Sequence, residues 1–169
     1  MSTPLKINGK YLYQIMLSSE EREEIATVIG KDEANWTPED IDAISIDKHL
    51  YPTEVILTSE TYSRNAERTA DYELEHLQLV NRKAKPEFTW SIIRATYVQR
   101  LMSELSYTYN FKVNGEIIPI DAPEFSITYT DFIGERTINT YLGQTIDGTL
   151  VEYNGVQYWQ NFRIAFPER

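Results

Sequence analysis

Pro86-Glu-Phe-Thr-Trp-Ser-Ile-Ile93 alternates Phe88, Trp90 and Ile92 with Glu87, Thr89 and Ser91. A period of two sends successive side chains to opposite faces, so one face of this strand is built for a core and the other for water. That pattern belongs to antiparallel sheet, because parallel strands covered on both faces read as continuous apolar runs. Two more segments repeat it: Phe125, Ile127 and Tyr129 against Ser126, Thr128 and Thr130, and the run Tyr158, Gln160, Phe162, Ile164, Phe166. Asn-Gly pairs at Asn8-Gly9, Asn114-Gly115 and Asn154-Gly155 sit between β-favouring residues. Both central positions of a type I′ turn need positive φ, which Asn and Gly tolerate, so each pair predicts a hairpin. Lys6-Ile-Asn-Gly9 and Lys112-Val-Asn-Gly115 echo each other through shared turn chemistry, since the match does not continue beyond them.

Upstream lies a polar arm, Thr61-Tyr-Ser-Arg-Asn-Ala-Glu-Arg-Thr-Ala70, set inside a β-hairpin and unable to support a core of its own. Residues 72–80 follow, with Tyr72 and Leu74 on one parity and Leu77 and Leu79 on the other, which predicts a β-bulge near Glu75 and His76. Asn81-Arg-Lys-Ala-Lys85 then reads as a basic turn. An arm of this kind is expected to grip a neighbouring copy of the chain, through Thr61, Tyr62, Ser63, Arg64, Asn65, Ala66, Glu67 and Arg68, with Arg64 and Arg68 forming intersubunit ion pairs.

Helical signals are fewer. Tyr97, Val98, Leu101, Met102 and Leu105 make one apolar stripe, and Thr96 with Gln99 has capping-box spacing, so a short helix is expected to pack on the sheet. Residues 18–29 begin with Ser18 or Ser19 and then Glu20, Glu21, Glu23 and Glu24, which suits the positive end of a helix dipole. Thr37-Pro38-Glu39-Asp40 opens a second helix, over residues 37–46, with proline at its first position. These helices interrupt a β-rich chain and are read as an insertion at about 16–50.

The 169 residues, 41% of them hydrophobic, are enough for one domain with a proper core. A net charge of -10 opposes any surface that embraces nucleic acid phosphates. There is no cysteine, hence no disulfide framework and no thiolate metal site. No apolar run reaches the length of a membrane span and the first residues do not resemble a secretory signal, so a soluble protein made in the cytoplasm is expected.

Catalytic chemistry has no visible motif: no glycine-rich phosphate loop, no Gly-x-Ser-x-Gly, no His-Glu-x-x-His. His49 and His76 stand alone and read as ordinary histidines, and the acidic run from Glu20 to Glu24 reads as a solvated helix turn. No enzyme activity, cofactor or metal is expected. Most tyrosines, with Trp90, fall on alternating strand positions that suit core or interface packing. Tyr107 and Tyr109 are left as candidates for a ligand face, for instance in a glycan- or receptor-binding β-sandwich.

Several short motifs occur in a distinctive order. They are Lys6-Ile-Asn-Gly9, Ser63-Arg-Asn-Ala66, Arg82-Lys83 with Phe88-x-Trp90 and a helix after it, and Tyr129-x-x-Phe-Ile-Gly-Glu-Arg-Thr137. Asn154-Gly-Val-Gln-Tyr-Trp159 and Phe162-Arg-Ile-Ala-Phe-Pro-Glu-Arg169 complete the series. In this order they resemble a family of small tail proteins encoded in prophages of Gram-positive bacteria, usually near the tape-measure gene. The layout is similar to the phage tail-tube superfamily, which includes the N-terminal ring domain of distal tail proteins. The resemblance covers most of residues 1–15 and 50–169; the helical insertion and the extra hairpin at Asn114-Gly115 depart from it. It implies a mainly β, α+β domain over residues 1–169: an antiparallel β-sandwich or half-barrel with one packed helix, a hairpin arm at about 61–70, and the helical insertion. It also implies a virion tail protein assembled with itself as a ring, usually six-fold, whose inner strands line a channel for DNA. Tape-measure or baseplate proteins would be its neighbours, and a distal-tail or baseplate adaptor ring is the alternative position.

Overall fold

The computed structural model describes residues 5–64, 78–105, 112–113, 116–117, 124–143 and 145–169. Among the described residues, two antiparallel four-stranded sheets and four α-helices form a sandwich-like α+β arrangement. The first sheet joins β1 (Lys6–Ile7), β2 (Lys10–Tyr11), β7 (Glu124–Asp131) and β8 (Gly134–Tyr141) in the order β2-β1-β7-β8. The second joins β3 (Glu54–Arg64), β4 (Gln78–Arg94), β9 (Asp147–Tyr153) and β10 (Val156–Ala165) in the order β3-β4-β10-β9. A separate small pair consists of β5 (Lys112–Val113) and β6 (Glu116–Ile117).

The alternation holds through β7, but only in part at the ends of the other two segments: Ile93 and not Ile92 is buried where β4 meets the following helix, and Tyr158 and Gln160 at the start of the last run are only half-buried. Phe88 and Trp90 of β4, Phe125, Ile127 and Tyr129 of β7, and Phe162 and Ile164 of β10 are buried, and Phe166 just beyond β10 joins them. Each large apolar side chain removed from water contributes about 1.5–3 kcal/mol before the entropy of ordering it is set against that. Trp90 packs its ring against Phe162 with centroids 5.6 Å apart, and Phe88 against Phe166 at 5.9 Å. The turns at Asn8-Gly9 (φ 53° and 75°) and Asn154-Gly155 (φ 53° and 79°) have the positive φ values a type I′ hairpin needs. Asn114-Gly115, between the paired β5 and β6, lies outside the described residues, as does the bulge expected near Glu75 and His76. A register shift is present instead between Tyr62 and Ser63, opposite Asn81 and Leu79.

Two strand and helix boundaries differ from the sequence reading. Asn81-Arg-Lys-Ala-Lys85 is no turn: β4 runs through it without a break, paired to β3 from Arg82↔Thr61 to Lys85↔Thr58. The alternation extends further back than the large residues suggest, with Ala84 buried between Lys83 and Lys85. Pro86 cannot donate to a ladder, but its carbonyl is used, accepting from the Phe166 N–H at 2.9 Å. The helix after β4, α4 (Ala95–Glu104), starts one residue before Thr96, with Arg94 at the N-cap and no side-chain cap. Because Arg94 still pairs with Tyr158 of β10, the chain passes from ladder to helix with no residue left over for a capping box. The apolar stripe is where it was expected, with Tyr97, Val98, Leu101 and Leu105 buried.

Both expected acidic helices form. In α2 (Ser19–Ile29), Ser18 and Glu21 make a reciprocal capping box, and Gly30 closes the helix in the left-handed region at φ 81°. In α3 (Pro38–Asp47), Thr37 and Asp40 do the same, with Pro38 at the start. A third helix, α1 (Leu12–Met16), was not legible, because five residues are too few to show a helical period; it buries Leu12, Tyr13, Ile15 and Met16. The helical stretch shares the core of the sheets: Trp36, Ile41, Ile44 and Leu50 belong to the same cluster as Ile7, Trp90 and Leu101. The Trp90 indole N–H donates to the Leu50 carbonyl at 2.8 Å, tying this stretch to β4. Among the described residues no helix is long and apolar enough to cross a membrane.

Candidate assembly surface

The sheet β3-β4-β10-β9 is uneven in length. Pairing of β10 with β4 ends at Ala165↔Glu87, whereas pairing of β3 with β4 continues to Arg64↔Gln78. The chain after β10 follows β4 a little further: the Phe166 N–H bonds the Pro86 carbonyl and the Glu168 N–H bonds the Ala84 carbonyl, both at 2.9 Å. Beyond Ala84 the ribbon Glu60–Arg64 against Gln78–Lys83 has no third described strand beside it. Thr61, Tyr62, Ser63 and Arg64 of the expected contact are therefore the end of β3 and not a loop. Asn65, Ala66, Glu67 and Arg68 lie outside the described residues.

A polar chain braces the foot of this ribbon. Glu168 accepts from the Ala84 N–H at 2.7 Å and from Arg136 at 3.1 Å, and Arg136 reaches Asp131 at 3.5 Å. Asp131 also accepts from the Tyr129 hydroxyl and the Phe132 N–H, each at 2.6 Å. The Tyr129 hydroxyl bond leads in holding the Asp131 carboxyl below the usual carboxylate range, while burial pushes the Tyr129 phenol up. Glu168 also bridges Thr140 of β8, so the last residues stitch the two sheets together where the ribbon departs. Sequence reading did not find this brace. Its members come from β4, β7, β8 and the C-terminal segment, and only the fold makes them neighbours.

Compared with protein-family models, with curated proteins and with solved structures, the chain matches none.

The other sequence candidates are dispersed. His49 is exposed at the end of α3 with φ 55°, beside a cleft lined by Arg94, Tyr97 and Tyr158. His76, Tyr107 and Tyr109 lie outside the described residues. Among the described residues no three His, Cys, Asp or Glu side chains are grouped to hold a metal ion. The acidic run does more than face solvent. Glu21 receives a hydrogen bond from Arg100 of α4, which also donates to the Met16 carbonyl at 2.7 Å, so one guanidinium clasps α1, α2 and α4.

Burial opposes ionisation of Glu21, but the bonds from Arg100 and Ser18 outweigh it and hold its carboxyl below the ordinary value. A carboxyl depressed in the folded state stabilises above its unfolded pKa of about 4.3, and that contribution is lost as pH falls through the folded value. Glu21 and Asp131 share this sign. The urea midpoint is expected to hold steady from neutral pH to about 5 and fall below about 4, with a shallower fall in Glu21→Gln. Identical acid profiles for the two proteins would remove Glu21 from the account.

Proposed function

We propose that this protein is a structural subunit of a bacteriophage tail, either a tail-tube or a tube-like ring subunit, without enzymatic activity, that assembles with copies of itself around a channel for DNA. The observation that carries the reading is the β3–β4 ribbon, which continues past the end of its sheet. Among the described residues no third strand flanks this ribbon, and a two-stranded ribbon is marginal on its own, so pairing with another chain would support it. The sheet also leaves β3 and β9 as its two edges, and Leu150 of β9 is half exposed. A ring of subunits each carrying -10 repels nucleic acid and lets DNA slide without sticking. The order of motifs shared with small prophage tail proteins points to the same role.

Electron microscopy of the purified full-length protein tests this. Rings or stacked tubes are expected: a stacked tube fits the tail-tube position, and single rings fit a distal-tail or baseplate adaptor. Dispersed monomers at every concentration examined would overturn the reading.

A further inference from the structure

Acid is distributed unevenly along this chain. Residues 18–50 hold ten of its 26 acidic residues and only three of its 16 basic ones. Two of those three are already engaged, Arg22 with Glu33 at 2.8 Å and Lys31 with Asp40 at 3.0 Å. The remaining field is strongly negative, and it surrounds an open apolar groove of about 320 Å³ between α2 and α3. Ile25, Val28 and Ile29 of α2 and Ala43 and Ile44 of α3 line the groove. Glu24 and Asp47 stand at its margin without ion-pair partners among the described residues, and Lys48 at the α3 C-cap is its one cation.

The helices themselves leave this face unfinished. No residue of α2 is fully buried, and Val28 is 87% exposed. Ile46, on the neighbouring turn of α3 from Ala43, is 58% exposed. An 11-residue helix draws most of its stability from packing its apolar face, and a valine in open water at the lip of an apolar groove is a contact awaiting a partner.

We propose that this groove docks a basic amphipathic helix of another protein. Apolar anchors at i, i+3 or i+4, and i+7 would cover Val28 and enter between the helices, and lysine or arginine on the flanks would meet Glu24, Asp47, Glu20 and Glu23. Charge complementarity selects this occupant over a second copy of the chain, whose own helical segment is acidic, and over an anionic lipid surface, which the same acids repel. The proposal goes beyond the tail reading and does not depend on it, because the groove lies within one subunit.

The test uses the full-length protein and a synthetic peptide of about 15 residues with leucine at i, i+3, i+4 and i+7 and lysine elsewhere. Its control is a scrambled peptide of the same composition that cannot form one apolar face. Binding is followed by amide chemical shifts and by fluorescence anisotropy. Saturable binding of the amphipathic peptide is expected, with shifts centred on Val28, Ile29 and Ala43. Val28→Gln, an exposed and helix-compatible change, is expected to weaken it about tenfold, and Glu24→Gln to weaken it further at low salt. Equal binding of the scrambled peptide, shifts centred elsewhere, no binding, or unchanged affinity in Val28→Gln would each overturn the proposal.

Discussion

Joining Glu60 to Lys83 through an Asn-Gly turn, with residues 61–82 removed, is expected to leave a folded monomer that no longer assembles. Glu60 and Lys83 are directly opposite in the β3–β4 register, so a two-residue type I′ turn can close the hairpin there. The core contributions of these two strands, from Val55 and Leu57 through Phe88 and Trp90, lie outside the cut. The brace on Ala84 through Glu168 is outside it as well. Near-ultraviolet circular dichroism should therefore keep its native form, and the thermal midpoint should move by only a few degrees. Self-association is expected to weaken at least about a hundredfold, the equivalent of about 3 kcal/mol. Sedimentation velocity and electron microscopy on the shortened protein read this directly. Normal rings or tubes from it would show that the ribbon is not the assembly element, even if the full-length protein assembles.

The largest effect on folding is expected from Trp90→Ala. Trp90 is fully buried, stacks at a tilt on Phe162, and donates its indole N–H to the Leu50 carbonyl. Truncation removes the ring, leaves a cavity between sheet and helices, and strands that carbonyl. Large aromatic truncations in packed cores cost about 3–5 kcal/mol, and the lost hydrogen bond places this site towards the upper end. For a chain of this size that lowers Tm by about 10 °C or more. Urea unfolding of Trp90→Ala and Trp90→Phe would separate the two contributions, since phenylalanine restores most of the volume and none of the bond. A loss below about 1 kcal/mol in the alanine variant would contradict the position of Trp90 at the centre of the core.

How much of this was legible in the residues varies from element to element. The inward faces of β7, of β4 at Phe88 and Trp90, and of β10 from Phe162 onward were readable because a strand's period is two and the buried residues were large; at the end of β4 the period misled, since Ile93 is buried in place of Ile92. The starts of α2 and α3 were readable because hydroxyl caps, first-turn acids and Pro38 are local signals; that Ser18 and not Ser19 caps α2, and that Glu21 and Asp40 close the two capping boxes, came from the structure. The stretch from Asn81 to Lys85 was misread because its inward residue is a small alanine and its charges resemble a turn. Thr96 has good capping chemistry, yet the helix begins at Ala95, because the β4–β10 ladder holds the backbone through Arg94. Half of the expected arm contact, Thr61 to Arg64, is strand for a similar reason: polar residues without periodicity still pair when an opposite strand offers them a ladder.

By itself, then, the sequence determined the antiparallel class of this protein, the acidic starts of α2 and α3, the turns at Asn8-Gly9 and Asn154-Gly155, and its acidic character. Each of these depends on residues within a few positions of one another, where side-chain period, backbone preference and charge act directly. Tertiary structure alone decided that β3 and β4 run on past their sheet, that Glu168 and Arg136 brace the point of departure, and that Arg100 clasps three helices. It also decided that α2 and α3 leave an apolar groove between them in the most acidic part of the molecule. These features join residues far apart in the chain, and no local preference specifies which distant partner a strand end, a carboxylate or a helix face will meet until the core has closed.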